Sequence, residues 1–553
     1  MLVSQVGAIL GWIVALTTAG PVCPLDGPAF PKPLRLSENE AVKNAVATLK
    51  DIFENVTSVA QNYSMSIQAF SANDPAPLFS LSHTAPNLAS MNTTGVRTVD
   101  ENTVFRLGSL TKIYTIYSFL INAGDKYWNE PITKYVPELQ ELANRSDPVN
   151  YVAWDDITLG GLATQLTGQV IQLGFPPLAP EQKPPCGAYP TCDRAQFFQG
   201  IGKFYPSLAP FQTPAYSNVA FQLLGYALET ITGTTFQTLL ENTVIKPLGL
   251  NHTFLRAPAD SLGIIPGDHD ETGWAFDIGE SAATGNMYAS ASDLSNLGRA
   301  ILSHKLLTPV TTRRWLKPFS FSSDPRAMVG MPWGARRINL EDTYRWTTAF
   351  NKAGNIGDYS ALLAIIPDFD IGISILLAGE LPGNAAFGLA DIIGEPLLPA
   401  VEEAARSEAG ALYNGYYVSS DTRLNSSMTI TTDKLPGLSI SQWFSNGTDF
   451  AWVATVLQNQ YYPVTPRIRL YPSGLEGPST DGGKRVAFKA MFEDADGPRN
   501  ENKMFSTECG SWVSVESVIY GSAAMDELIF NLDSSGKVIS VDSPSLRITL
   551  TKQ

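Results

Sequence analysis

Apolar side chains run from Ile113 to Ile121 almost without regard to helical face, and Gly124 follows them. That pattern predicts a helix buried on all sides, stopped by the glycine. Upstream, Ala41, Val42, Ala45, Val46, Leu49 and Phe53 recur at i, i+3, i+4 and predict a one-faced helix over about Leu36 to Thr57. Ser64–Phe70 and Pro77–Leu81 alternate as strands do. Helical spacing returns from Val219 to Leu248. Ala282–Leu294 reads as a loop entering a further helix, with Ser292 or Asp293 as its cap. Tyr359–Phe369 and Ile371–Leu377 read as two apolar strands of a hairpin near the middle of a sheet, and a helix is expected around Asn384 to Ser407.

From Gly410 the pattern shortens. Met428–Thr432, Leu438–Phe444, Ala451–Leu457, Arg467–Tyr471, Arg485–Phe492, Ser511–Val518, Glu527–Asn531, Lys537–Val541 and Leu546–Thr551 alternate between turn residues. No amphipathic helix is expected among them. The expectation is an all-β domain over 410–553, an antiparallel barrel or sandwich. Between Gly174 and Pro214 the density of proline excludes long regular elements. That stretch leads into Tyr216 and is read either as a wall or lid of a pocket or as a surface loop.

Acidic residues outnumber basic ones, 53 to 38, a net charge of −15 that argues against nucleic acid and anionic membrane surfaces as partners. A small-molecule substrate is left open by it, as is the oligomeric state. Residues 1–20 read as a signal peptide: Val6 to Ala19 is apolar, the first charge is Asp26, and Thr17 and Ala19 are small enough for cleavage. An uncleaved anchor or a buried helix is the competing reading; with cleavage, the mature chain is secreted and free of the membrane. Sequons at Asn55, Asn62, Asn92, Asn144, Asn251, Asn425 and Asn446 join that expectation as glycosylation sites. The 4 cysteines lack metal-binding spacing. In an oxidising compartment Cys186 is expected to pair with Cys192 and Cys23 with Cys509; two other pairings, and free thiols, remain open.

Ser109 and Lys112 stand three apart at the start of the apolar helix, a spacing that puts both on one face. A lysine held close and dry can take the proton of a serine, and backbone N–H groups at a helix start can receive an oxyanion. Spacing alone is weak evidence, since Ser534-Ser-Gly-Lys537 repeats it in what reads as a hairpin turn. Tyr216-Ser-Asn218 precedes the helix at Val219. A tyrosine beside an activated lysine can act as base and then acid, and the Asn218 amide can bond an acyl group. Tyr127-Trp-Asn129 repeats this pattern too. Lys352-Ala-Gly354 is read as part of an edge strand whose glycine lets substrate backbone approach, with an N–H near Asn355 as partner to that of Ser109.

Taken together and in this order, the three motifs resemble the serine β-lactamase and penicillin-binding-protein superfamily, on its class C β-lactamase/esterase branch. The resemblance covers about Leu36 to Ala400. It is carried by Phe105-Arg-Leu-Gly-Ser-Leu-Thr-Lys112, Asn129 to Leu139, Ile157-Thr-Leu-Gly-Gly-Leu162, Val244-Ile-Lys-Pro-Leu-Gly-Leu250 and Gly285 to Leu294. It implies an α/β (α+β) catalytic domain, placed at 36–405, with an antiparallel sheet flanked by helices and a helical subdomain. It also implies Ser109 as acylated nucleophile, Lys112 as its base and Tyr216 as proton-handling partner. Asn218 would contact substrate, Lys352 would help electrostatically, and Ser109 and Asn355 would form the oxyanion hole beside Gly354. Tyr-Ser-Asn where class A enzymes have Ser-Asp-Asn disfavours class A chemistry. Ala353 departs from the usual Lys-Thr-Gly; losing that hydroxyl weakens carboxylate recognition by about 1 kcal/mol and leaves acyl chemistry intact.

The expected activity is therefore a secreted serine hydrolase working through an acyl-enzyme on an ester, amide or lactam, with no cofactor and no metal. An acyltransferase on the same architecture and a non-catalytic binding protein are the alternatives. His83, His252, His269 and His304 are too scattered for a metallo-hydrolase, and Gly-x-Ser-x-Gly is missing around Ser109.

Overall fold

The computed structural model describes residues 22–143, 146–167, 193–340, 345–380, 384–479, 482–497, 504–505 and 509–553. The expected signal segment, Asn144, the Cys186–Cys192 bridge and the proline-rich residues 174–192 lie outside them. The chain forms two compact units, 34–338 with 348–400, and 1–33 with 339–347 and 401–553.

The first unit is built on an eight-stranded antiparallel sheet. Its strands are β1 (Tyr63–Ser71), β2 (Pro77–His83), β3 (Ser320–Phe321), β4 (Ala327–Val329), β5 (Gly334–Asn339), β6 (Trp346–Ile356), β7 (Tyr359–Ile366) and β8 (Ile371–Gly379). They lie in the order β2-β1-β8-β7-β6-β5-β4-β3. The hairpin expected at Tyr359–Leu377 is there and central, its strands buried along their whole length because both faces are covered. Helix α1 (Glu40–Val59) is capped by Asn39 and buries Val42, Ala45, Leu49 and Phe53, the stripe its sequence spacing marks. Helix α2 (Thr111–Asn122) is buried from Thr111 to Leu120 and packs against α3 (Val219–Thr232). Helix α4 (Ala291–Leu302) lies on β1, β7 and β8. Its approach depends on two glycines: a Cβ on Gly298 or on Gly372 would fall 2.3 Å from the ring of Phe70. The cap of α4 is Ser290, whose side chain accepts the Asp293 N–H, and not Ser292 or Asp293. Asp293 instead turns back to accept from His252 N and Thr253 Oγ1.

The second unit carries β9 (Gly415–Ser419), β10 (Ser427–Thr431), β11 (Leu438–Ser445), β12 (Thr448–Asp449), β13 (Pro466–Pro478), β14 (Lys484–Asp494), β15 (Glu527–Leu532), β16 (Val538–Ser543) and β17 (Ile548–Lys552). They pair antiparallel in the order β10-β9-β17-β16-β15-β14-β13-β11-β12, and β10 also pairs with β11, linking the two ends of the order. Its core holds a ring cluster in which Tyr413, Phe488 and Phe530 meet edge to face at 4.8–5.1 Å. Two expected strands are corrected. Ala451–Leu457 belongs to a helix, α6 (Phe450–Asn459), after the long α5 (Ala385–Tyr413). Asp449 caps α6 through Trp452 N, and Phe450 and Ala454, one turn apart, are its buried side. Ser511–Ser514 likewise forms a single helical turn rather than a strand.

Cys23 and Cys509, both in this second unit, form a disulfide across 486 residues of sequence. Among the described residues no helix is long and apolar enough to cross a membrane. The described sequon residues Asn55, Asn62, Asn92, Asn251, Asn425 and Asn446 are all exposed. Closing so long a loop restricts the unfolded chain, so Cys23→Ala/Cys509→Ala is expected to lose about 2–5 kcal/mol of unfolding free energy. Denaturant titration followed by far-UV circular dichroism reads this; coincident curves for variant and wild type would contradict it.

Candidate active site

Ser109 lies in a 3-10 turn, Gly108–Leu110, that runs directly into α2. Thr111 holds the turn: its hydroxyl donates to Gly108 O at 2.7 Å and accepts from Met287 N at 3.0 Å. Lys112 is fully buried one turn on, its Nζ 2.9 Å from Ser109 Oγ. Two further oxygens surround that amine, Asn218 Oδ1 at 2.8 Å and Thr284 O at 2.9 Å. The Tyr216 and Phe221 rings lie 5.1 and 5.4 Å from it. Burial, and then the charge of Lys352, hold Lys112 well below the usual lysine range.

A neutral amine has two N–H donors and one lone pair. Protonated, the amine donates to all three oxygens; in the neutral form, with Asn218 Oδ1 and Thr284 O taking its two donors, the lone pair faces the Ser109 hydroxyl. This is the protonation state that burial favours, and it is the one in which lysine accepts a proton.

Tyr216 stands at the rim, 38% exposed, with its hydroxyl hydrogen-bonded to Ser109. Desolvation pushes the phenol up to about 12, so it rests as a neutral donor at pH 7. Lys352 is buried on β6, its Nζ 2.5 Å from Ala353 O and 5.3 Å from the Tyr216 ring centroid. Burial brings its amine down to about 7.

The structure thus gathers Ser109, Lys112, Tyr216, Asn218 and Lys352 around one point, from α2, the turn before α3, and β6. Asn218 occupies the N-cap position of α3, but its side chain makes no capping bond; its carbonyl end serves Lys112 instead. The expected edge strand is corrected. β6 lies between β7 and β5, and Gly354 faces the chain's own Ser109 turn. A Cβ there would sit 2.0 Å from Leu107 O and 2.6 Å from the backbone nitrogens of Ser109 and Leu110. Gly108 is the reciprocal contact, its absent Cβ 2.8–2.9 Å from the backbone of Asn355. The glycine admits protein backbone, not substrate. Thr284 went unnoticed in the sequence because any residue supplies a carbonyl; only the fold brings that one to the amine.

Gly354→Ala must therefore separate β6 from the Ser109 turn. The expected result is a loss of about 1–3 kcal/mol in stability, with acylation of Ser109 by an activated ester slowed at least about 100-fold. Wild-type acylation in the alanine variant would refute that role. Lys352 gives a second test. Folded, it is neutral above about pH 7; unfolded, it stays protonated to about 10.4. Between those values unfolding takes up a proton, so Lys352 makes stability rise with pH. Lys352→Met should flatten this part of the profile, its stability relative to wild type being highest near pH 7 and falling toward pH 10. Parallel stability–pH curves would contradict the assignment.

The β-lactamase family profile matches residues 88–395, and a profile described as a β-lactamase-like C-terminal domain matches 405–553. A β-lactamase-like protein of Arthroderma benhamiae is 28% identical, over 96% of this chain and 96% of its own length. The probable hydrolase clz13 of Cochliobolus lunatus is 26% identical, over 97% of this chain and 92% of its own. Among solved structures, a class C β-lactamase superposes with a TM-score of 0.48 at 17% identity, over 65% of this chain and 97% of that one. The family profile spans more than half of the residues, and the chain belongs to the β-lactamase family.

Proposed function

We propose that the protein is a secreted serine hydrolase that forms an acyl-enzyme on an ester, amide or lactam, its catalytic domain at 36–405 and a β-rich domain at 410–553. The observation that carries this reading is the buried Lys112 amine, held between the Asn218 and Thr284 carbonyl oxygens and 2.9 Å from Ser109 Oγ, where its neutral form turns a lone pair to the hydroxyl. Ser109 Oγ attacks the acyl carbon while its proton passes to Lys112 Nζ. The carbonyl oxygen becomes an oxyanion received by the backbone N–H groups of Ser109 and Asn355. The leaving group departs with a proton from Tyr216, a neutral phenol at working pH. Water then attacks the ester on Ser109 and gives its proton to the Tyr216 phenolate, while Lys112 returns its proton to Ser109 Oγ as the acid leaves. Asn218, whose carbonyl orients Lys112, offers its amide nitrogen to the acyl group, and Lys352 adds positive potential.

Ala353 directs the substrate away from carboxylates. The position carries no hydroxyl, and the nearby Lys352 amine is only partly charged at neutral pH. Neutral esters are the favoured class, and β-lactams and D-amino-acid peptides, which present a carboxylate, are disfavoured. The Cys23–Cys509 bridge and the exposed sequon asparagines support an extracellular, glycosylated protein.

The test is covalent labelling of the purified protein with a fluorophosphonate, followed by mass spectrometry and an ester, amide and lactam screen. Expected are one adduct on Ser109, its loss in Ser109→Ala, and p-nitrophenyl ester hydrolysis that exceeds penicillin hydrolysis. A wild type that takes no label would mark the site as non-catalytic.

A further inference from the structure

Tyr216 precedes α3 in a turn, and its phenol reaches Ser109 only if the backbone of that turn is held in place. The turn is fixed from outside by Gln165, which follows the short helix Leu159–Ala163. The Gln165 backbone carbonyl accepts the N–H of Ala215 at 2.8 Å. Its side-chain Oε1 accepts the N–H of Ser217 at 2.6 Å. These two bonds bracket Tyr216, one residue before it and one after. The next carbonyl, of Leu166, accepts from Phe211 N at 2.6 Å, so the returning strand of chain is pinned at a third point.

Gln165 is 5% exposed and adopts a left-handed backbone conformation, φ 61°. A glycine would take that conformation with less strain. It would also leave the N–H of Ser217, a fully buried residue, without this acceptor. The Gln165 Nε2 atom is buried and has no hydrogen-bond partner among the described residues, so the amide acts through its oxygen. Downstream, Ser217 Oγ accepts from Ala220 N, and the Asn218 carbonyl accepts from Thr284 Oγ1, whose own carbonyl holds Lys112. The clamp on Tyr216 is thus joined to the clamp on the amine.

We infer that Gln165 is a positioning residue for Tyr216, setting the phenol against Ser109 through hydrogen bonds on both sides of it. This rests on the acyl-enzyme reading, in which Tyr216 moves protons. An acceptor removed from Gln165 lets the Tyr216 turn drift, slowing proton transfer while substrate binding is kept.

The test is a double-mutant cycle on p-nitrophenyl butyrate hydrolysis and fluorophosphonate labelling, with Gln165→Met, Tyr216→Phe and their combination. Gln165→Met is expected to lower kcat about 10- to 100-fold with KM within about threefold. In the Tyr216→Phe background the same change is expected to cost almost nothing further, because the group it positions is gone. Gln165→Glu, which keeps an oxygen for Ser217 N–H, should recover most of the loss and covers the case in which the methionine variant does not fold. An equal loss in both backgrounds, or a glutamate variant as slow as the methionine one, would overturn the inference while leaving Ser109 labelled. An unlabelled wild type would overturn the acyl-enzyme reading and this inference together.

Discussion

A primary amine kept dry among oxygens is the constraint on which the first unit depends. Water would solvate the Lys112 amine as a cation and leave it no basicity at neutral pH. Drying it requires a helix buried on every side, two aromatic rings beside the nitrogen, and carbonyls delivered from Asn218 and from Thr284, in parts of the chain far from α2. Each carbonyl offsets part of the desolvation while accepting an N–H, so the nitrogen stays hydrogen-bonded and its lone pair has a defined direction.

The same burial acts in opposite senses on the groups around it. It moves both lysines down and the Tyr216 phenol up, so charge is disfavoured at all three, while Lys352 stays partly charged near pH 7. Groups whose proton affinities are shifted by burial in opposite senses fit the proposed reaction, which needs a proton taken and another given. Lys352 lowers Lys112 further through space, so the lysine on β6 favours the neutral form of the one on α2. The site is one electrostatic unit rather than a set of independent side chains.

Rigidity comes from backbone packing at glycine. Gly108 and Gly354 let the Ser109 turn and β6 meet without intervening side chains, which fixes the Ser109 and Asn355 backbones close together. Behind them, Gly298 and Gly372 admit the Phe70 ring and seat α4 on the sheet. A close-packed floor of this kind resists the small displacements that would separate a hydroxyl from its base.

The sequence by itself determined the periodic elements and the chemistry that repeats locally. The buried helix after Ser109, the central hairpin at Tyr359–Leu377 and most of the C-terminal strands follow from patterns a few residues long, and Ser109 and Lys112 meet because helical spacing makes them meet. It misplaced α6, where Phe450, Val453, Ala454 and Leu457 also satisfy a helical period and Asp449 supplies the cap, because short alternating runs on either side suggested another strand. Only the tertiary structure decided what required chain segments distant in sequence to converge. The Thr284 carbonyl, the Gln165 clamp and the true neighbour of Gly354 leave no mark in a one-dimensional pattern, since a carbonyl is common to all residues and a glycine does not announce what it makes room for. Composition carries the core; convergence of the site depends on the packing that composition alone does not specify.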